Sequence, residues 1–199
     1  MRRIVLTALS VFAIAGFSAA QTQSWAIDPA HSSADFAVRH LGISTVRGNF
    51  SKVSGKVSYD AADLSKSSIE ATIDATTINT RIETRDKDLR SPNFFDVEKF
   101  PTITFKSKRI ESAGAGKLHV TGDLTMHGVT KELVLDVNGP SAAIKDPSGN
   151  PRMGAEATTK INRRDFGING GTTTVGDEVQ ITLDVEMISS SPSIVAPAK

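Results

Sequence analysis

The sequence contains no cysteine and few aromatic residues, since Phe, Trp and Tyr together make up 6% of its 199 residues. The absence of cysteine excludes disulfide bonds, thiol catalysis, cysteine-ligated zinc and covalently attached haem. Folding must therefore depend on a hydrophobic core without cross-links. A single domain of this length buries a large enough fraction of its surface for such a core to suffice.

Neither sign of charge dominates, because 23 Lys and Arg residues stand against 22 Asp and Glu residues. The basic residues are scattered among acidic ones and form no patch along the chain. Binding to nucleic acid requires a concentrated basic surface that neutralises phosphates. The composition therefore predicts no nucleic-acid partner.

The two ends of the chain differ in composition from the rest. An apolar run from Ile4 to Phe17 follows two arginines and precedes the small residues 18–20, an order typical of a cleaved secretory signal peptide. A transmembrane anchor is the alternative, but a bilayer span requires about 20 apolar residues and this run is shorter. Residues 189–199 are rich in Ser, Ala and Pro, as in disordered ends. We expect a signal peptide over residues 1–20, one folded domain over residues 21–188 and a disordered tail over residues 189–199.

Between these ends, apolar and polar residues alternate with period two in nearly every segment, as they do in half-buried antiparallel strands. Turn signals rich in Gly, Pro and Asn separate the alternating segments, for example at residues 113–116, 138–140 and 147–150. The pattern predicts an all-β domain with about eight antiparallel strands.

The segment from Thr80 to Phe100 departs from this alternation. Its pattern predicts a helix with Asn79 or Thr80 as N-cap and an interruption at Pro92. A second short helix is expected from Phe94 to Lys99, and a further helical turn at residues 40–43.

Strand pattern alone leaves two architectures open, a closed barrel and an immunoglobulin-like sandwich. Closure removes exposed strand edges, while sandwich domains are generally shorter and lack a helical insert of this length. A barrel of about eight strands is either filled by its side chains or able to hold one small ligand. The sequence pattern leaves these two interiors equally open.

Four segments occur in an order that resembles the YceI family, small bacterial proteins with a lipocalin-like barrel. They are residues 27–50 (IDPAHSSADFAVRHLGISTVRGNF), residues 85–107 (RDKDLRSPNFFDVEKFPTITFKS), residues 122–133 (GDLTMHGVTKEL) and residues 161–168 (INRRDFGI). Together the resemblance covers the chain from Trp25 to about Ile188. One departure is visible at Asp88, where the family usually has a histidine, so no role of that histidine is carried over.

The resemblance implies a hollow antiparallel lipocalin-like barrel with a short helical insert. It further implies a periplasmic protein that binds a polyisoprenoid or another long-chain fatty amphiphile for transport, storage or sequestration. A homodimer and transient contact with a membrane are compatible with it. No cofactor is implied.

Strand parity and side-chain size select the residues expected to line the apolar tunnel. They are Phe36, Val38, Ile73, Phe105, Leu124, Met126, Leu135, Ile181 and Leu183. Phe94, Phe95 and Phe166 are further candidates for ligand contact, with simple core packing as the alternative. Because Phe94 and Phe95 are adjacent at a turn, we expect only one of them to face the ligand.

A second group of residues is expected at the mouth of the barrel, in contact with the ligand's head group. It comprises His31, His40, Arg85, Asp86 and Arg90. The alternative for the charged residues of this group is a clamp between helix and barrel, because an arginine fork binds carbonyl and carboxylate oxygens well.

Motifs for catalysis and metal binding are missing. The four histidines show no HxH or HExxH spacing, no serine lies in a GxSxG motif, and no motif places two carboxylates for acid and base roles. The sequence therefore predicts neither an enzyme nor a metal site. Two other functions stay open: a lipid-modifying enzyme in a lipocalin-like cup, and an interaction module of the envelope stress response with a filled barrel.

Overall fold

The computed structural model describes residues 22–190, so the predicted signal peptide and residues 191–199 of the predicted tail lie outside the described residues. The described chain is mostly β-structure with one α-helix, α1 (Glu83–Arg90). The strands are β1 (Gln23–Ile27), β2 (Ser33–His40), β3 (Ser44–Phe50), β4 (Val53–Tyr59), β5 (Ser68–Asp74), β6 (Ile78–Asn79), β7 (Thr102–Ser112), β8 (Lys117–Met126), β9 (Val129–Asn138), β10 (Ile144–Lys145), β11 (Pro151–Asn162) and β12 (Val175–Ser189). Short 3-10 helices cover Leu64–Lys66, Ala75–Thr77 and Arg163–Phe166.

Eight strands form a closed antiparallel barrel. Around the ring their order is β1, β4, β5, β7, β8, β9, β11 and β12, and β12 pairs back with β1. The longest ladder joins β11 to β12, from Asn162 opposite Glu178 to Arg152 opposite Ile188. The predicted barrel is thus confirmed, and the alternative of an immunoglobulin-like sandwich is wrong.

The strands β2 and β3 extend the barrel wall at one end. β12 pairs with β2 along its first part, where Val175 lies opposite His40, and with β1 along its last part, where Ser189 lies opposite Trp25. β1 and β2 therefore act as one strand interrupted by the loop of residues 28–32. We call the end at His40 and Val175 the mouth end, and the end where β1 begins and β12 finishes the far end.

The helical insert is shorter than its sequence pattern suggests. Helix α1 begins after Ile82, whose side chain makes no capping hydrogen bond, so the predicted caps at Asn79 and Thr80 are wrong. The second helix predicted over Phe94–Lys99 is also wrong, because this segment forms successive turns. Asp96 adopts a positive φ of 45°, a left-handed conformation that a right-handed helix cannot continue through.

Residues 40–43 form the tight turn of the β2–β3 hairpin instead of the expected helical turn. Leu41 and Gly42 both have positive φ values, of 50° and 70°, and the amide of Ile43 donates to the carbonyl of His40. Two successive residues with positive φ match the right-handed twist of the flanking strands.

The folded domain continues slightly beyond its expected C-terminal limit. Ser189, assigned to the tail from sequence, is the last residue of β12, and the amide of Ser190 donates to the carbonyl of Ser24 at 2.9 Å. Within residues 22–190, no helix has both the length and the apolar character that a membrane crossing requires.

Candidate ligand cavity

The barrel encloses an apolar cavity of about 240 Å³. Every one of the eight barrel strands contributes inward side chains to its wall, and Leu89 of α1 and the adjacent Phe94 and Phe95 lie over its mouth end. Almost all of the lining side chains are aliphatic or aromatic. The interior is thus hollow and not filled by its side chains, as the resemblance to the YceI family implies.

The period-two pattern explains why the wall is apolar. Successive side chains on a strand point to opposite faces of the sheet, and the register of the strands keeps wall residues opposite one another. Ala157 lies opposite Leu183, and Thr159 lies opposite Ile181. The small side chain of Ala157 leaves space that a larger residue would occupy.

The structure places all of the residues expected along the tunnel on the cavity wall. They are Phe36, Val38, Ile73, Phe105, Leu124, Met126, Leu135, Ile181 and Leu183. Their contact with a ligand stays a prediction. The wall itself is brought together from strands that are far apart in sequence.

Phe166 is the one candidate that the cavity wall does not include. The alternating pattern of β11 ends at Asn162, whose side chain caps the 3-10 helix Arg163–Phe166 by accepting from the amide of Arg164. In this segment Arg163 and Ile168 line the cavity, and Phe166 does not. Phe166 is buried in the core, and its carbonyl lies 3.0 Å from Nδ1 of His127.

Both Phe94 and Phe95 line the cavity, so the expectation that only one of them faces it is wrong. The ring of Phe95 contacts Phe50 edge-on at 5.5 Å, and Phe50 in turn lies 5.8 Å from Phe36. Gly170 packs against the ring of Phe94, where a Cβ atom would come within 2.7 Å of the ring. Two adjacent side chains can share one concave wall because the chain turns sharply between them.

A second pocket of about 380 Å³ adjoins the cavity at the mouth end, and we call it the outer pocket. The cavity and the outer pocket share Phe36, Val38, Leu89, Phe94 and Val175. Polar residues are concentrated in the outer part of this arrangement, although a few, such as Asp35 and Thr159, also line the cavity. The polar residues of the outer pocket are Arg39, His40, Ser44, Arg85, Asp88 and Thr174. The site therefore changes from apolar to polar along its axis, which is the arrangement that an amphiphile requires.

Two of the expected mouth residues, His40 and Arg85, line the outer pocket. Arg85 also anchors the helix, because its Nε donates to the Thr80 hydroxyl at 2.7 Å and its Nη2 to the Thr80 carbonyl at 2.9 Å. Asp88, at the position where the family usually has histidine, faces the same pocket and accepts from Nδ2 of Asn93 at 2.9 Å.

Asp86 and Arg90 line neither pocket and hold α1 against the barrel. Asp86 is buried and accepts from the amide of Thr80 at 2.8 Å and from the Thr80 hydroxyl. Arg90 donates to the carbonyl of Ile78 at 3.4 Å and to Glu83 at 3.0 Å. For these two residues the geometry fits the clamp alternative better than head-group contact.

His31 does not lie at the mouth end. It belongs to the loop between β1 and β2, lines neither pocket, and its Nδ1 lies 3.0 Å from Oδ2 of Asp28. The strand pattern suggested a barrel end there, but β1 and β2 form one interrupted strand. The break between them lies on the side of the barrel.

His31 borders a charged cluster centred on Arg152. The Arg152 Nε donates to Asp146 at 2.9 Å, and its Nη1 contacts both Asp28 and Glu186. This guanidinium holds the pKa of Asp28 well below its usual range and lowers the pKa of Asp146 to about 2. Asp28, His31 and Glu186 have the mutual spacing of cation ligands, but the guanidinium already occupies the space between the two carboxylates.

Arg163 supports the structure of the mouth, and the sequence pattern does not single it out. It is buried, and it donates to the carbonyls of Ile168, Gly170, Val175 and Gly176 over distances of 2.7 to 3.0 Å. These bonds shape the loop of residues 167–174 and the start of β12, which together form one side of the outer pocket. The adjacent arginines after a strand in the segment INRRDFGI were the available signal.

A closed antiparallel barrel whose apolar cavity opens through a polar mouth defines the lipocalin-like binding proteins. The chain belongs to the YceI-like family, whose domain model matches residues 25–187. A UPF0312 protein of Vibrio cholerae is 41% identical over 152 residues, which are 75% of this chain and 80% of that protein.

Solved structures have the same fold. BcnA of Burkholderia cenocepacia matches with a TM-score of 0.71 and 26% identity, over 80% of this chain and 98% of that chain. A polyisoprenoid binding domain from Saccharophagus degradans matches with a TM-score of 0.64 over 84% of this chain and 99% of that domain. At 16% identity this second likeness shows the fold alone.

Proposed function

We propose that this protein binds one polyisoprenoid or other long-chain amphiphile, with the chain in the cavity and the head group in the outer pocket. The observation that carries the proposal is the wall itself, which is mainly apolar on all eight strands and becomes distinctly more polar at the mouth end. The name of the structurally similar domain from Saccharophagus degradans points to the same class of ligand.

The energy of binding comes mainly from the buried hydrocarbon. Each methylene taken from water contributes roughly 0.8 kcal/mol. About ten buried methylenes would contribute roughly 8 kcal/mol before the ordering costs of binding are subtracted. Affinity should therefore depend on the length and shape of the chain more than on its head group.

We further propose that the protein acts by carriage, storage or sequestration and catalyses no reaction. Two charged groups near the cavity are already engaged in structural hydrogen bonds. Arg163 is occupied by four backbone carbonyls, and Asp86 by Thr80. The hollow interior also argues against an interaction module with a filled barrel.

The N-terminal sequence supports export, and we propose the periplasm as the site of action. Cell fractionation together with the intact mass of the recovered protein tests this directly. A periplasmic chain that begins at Gln21 is the expected result. A chain in the cytoplasm that retains residues 1–20 would contradict it.

Native mass spectrometry of protein purified from its own cells tests ligand binding, with mass analysis of what denaturation releases. We expect one apolar molecule of lipid size for each chain. A bare polypeptide that also fails to take up long-chain polyprenols would overturn the proposal.

A cavity-filling variant tests where the ligand lies. Ala157→Phe places a ring inside the barrel and should displace at least two methylenes, which corresponds to about a tenfold or greater loss of affinity. Glu156→Phe is the matched control, because Glu156 is the adjacent residue on β11 and is exposed on the outer face. Equal affinities of the two variants for a polyprenol, measured by fluorescence displacement, would place the ligand elsewhere.

A further inference from the structure

Large apolar side chains are exposed on both sides of the mouth. Leu41 and Ile43, in the β2–β3 hairpin turn, are 54% and 81% exposed, and Ile82, just before α1, is 50% exposed. The residues that flank the hairpin turn, His40 and Ser44, line the outer pocket. Arg85 and Leu89 of α1, which follow Ile82, line it as well. The opening of the cavity is therefore bordered by apolar residues.

The hairpin turn holds its apolar side chains in a fixed position. Arg39 donates to the carbonyl of Gly42 at 2.6 Å and to the Thr45 hydroxyl at 2.9 Å. The amide of Leu41 donates to the carbonyl of Thr174 across the mouth at 2.7 Å. A turn that is tied at three points cannot fold its leucine and isoleucine back onto the protein, so they stay available to a partner.

Unpaired basic residues accompany these apolar side chains. Arg47 on β3, Arg81 before α1 and Lys87 on α1 are exposed, and within residues 22–190 none of the three has an ion-pair partner. Of the two exposed acidic residues on α1, Glu83 is paired with Arg90, whereas Asp88 has no ion-pair partner among the described residues. The free charge around the exposed apolar residues is thus mainly positive.

Charge near the far end is arranged differently. There Arg152 is neutralised by Asp28, Asp146 and Glu186. The exposed Ile144 on β10 near this end is not part of the mouth. Lys145, next to Ile144, is also exposed and has no ion-pair partner among the described residues. The mouth end differs because three exposed large apolar side chains, Leu41, Ile43 and Ile82, occur there together with unpaired cations.

We propose that the mouth end docks on the surface of a bilayer that contains anionic lipids. Leu41, Ile43 and Ile82 enter the interfacial region, while Arg47, Arg81 and Lys87 contact the anionic head groups. Apolar side chains combined with Lys and Arg are the features by which proteins bind to membrane surfaces without crossing them. In this orientation the cavity opens toward the bilayer, from which an apolar ligand can enter without passing through water.

Flotation with lipid vesicles tests the docking surface. Wild-type protein should float with vesicles of phosphatidylethanolamine and phosphatidylglycerol and much less with vesicles of phosphatidylcholine alone. The double variant Ile43→Ser, Ile82→Ser should lose about tenfold or more of its partitioning for each isoleucine that no longer enters the interface. Arg47→Gln, Arg81→Gln and Lys87→Gln together should remove the preference for anionic vesicles.

Ile144→Ser is the matched control, because Ile144 is 68% exposed and lies away from the mouth. It should float as the wild type does, and unchanged thermal unfolding of all variants shows that they are folded. A wild type that binds neither kind of vesicle, or an equal loss of binding in Ile144→Ser, would overturn the proposal. A further result would also overturn it: wild-type protein that binds no vesicles and forms a dimer, which dissociates in the Ile43→Ser, Ile82→Ser variant. The apolar surface would then be a contact between subunits.

Docking is independent of what the cavity holds, although loading from the bilayer rests on the proposed function. The flotation experiment is therefore repeated with protein stripped of bound molecules. Vesicle binding by protein that takes up no polyprenol would leave the docking surface intact and refute the proposed ligand. Uptake of polyprenol from detergent without vesicle binding would support the proposed ligand and refute the docking surface.

Discussion

Single buried side chains decide the shape of the mouth, and Arg163 is the clearest case. Its guanidinium donates hydrogen bonds to four backbone carbonyls, two in the loop of residues 167–174 and two at the start of β12. Burial lowers the pKa of Arg163 from its ordinary value. The carbonyl oxygens compensate for this burial by accepting its hydrogen bonds.

Replacement of Arg163 by methionine should destabilise the protein strongly. A buried acceptor left without a donor costs roughly 1–3 kcal/mol, so a loss of at least about 2 kcal/mol in the free energy of unfolding is expected. Urea denaturation measures this loss. Arg164→Met is the control, since Arg164 is partly exposed and bonds to Asp177 alone, and such a pair is worth at most about 1 kcal/mol. Similar losses in the two variants would refute the role given to Arg163.

At the scale of elements, helix α1 depends on tertiary contacts for its position. It has eight residues, and an isolated helix of that length is marginal in water. Asp86 binds it to the end of β6 through the amide and hydroxyl of Thr80, and Leu89 rests over the cavity. The helix thereby forms part of the cover at the mouth end.

The variant Asp86→Ala should loosen this cover. Hydrogen bonds to a charged group contribute roughly 1.5–3 kcal/mol each, so we expect a loss of that order in stability. Faster hydrogen exchange of the amides in Glu83–Arg90 should accompany it. Lys87→Ala, an exposed change on the same helix, should leave exchange nearly unaltered. If Asp86→Ala exchanged no faster than Lys87→Ala, Asp86 would not be the anchor.

At the scale of the whole molecule, closure of the barrel joins segments that are distant in sequence. Arg152 on β11 is tied to Asp28 after β1, to Asp146 after β10 and to Glu186 on β12. The pKa values of Asp28 and Asp146 are depressed, so folding favours their ionised forms. This stabilisation is present above the ordinary aspartate pKa of 3.8 and is lost as the pH falls through the folded value, about 2 for Asp146.

Arg152→Gln should therefore lower the urea midpoint of unfolding at neutral pH. The difference in urea midpoint between this variant and the wild type should shrink as the pH falls from about 4 to about 2. In that range the carboxylates that pair with Arg152 take up protons, so the charge of Arg152 no longer stabilises the fold. Lys160→Gln is the control, since it removes an exposed ion pair with Glu178 in the same β11–β12 ladder. A difference that stays constant with pH would show that Arg152 stabilises the barrel by packing and not by charge.

The sequence by itself determined which face of each strand is apolar. The alternation of side-chain direction along a strand places Phe36, Leu124 and Leu183 in the interior, and this rule needs no information beyond the neighbouring residues. Closure into a barrel was favoured by the family resemblance, since pattern alone also allowed a sandwich.

Only the tertiary structure decided where the ends of the elements lie in space. His31 and His40 stand at the two ends of one strand in sequence, yet His40 alone borders the outer pocket. Phe166 left the wall because a 3-10 helix interrupts the alternation, and Phe94 and Phe95 share the cavity because a turn separates them. The alternation is a local property of the chain, whereas a hollow interior and its mouth depend on pairings between distant strands and on the summed volumes of many side chains.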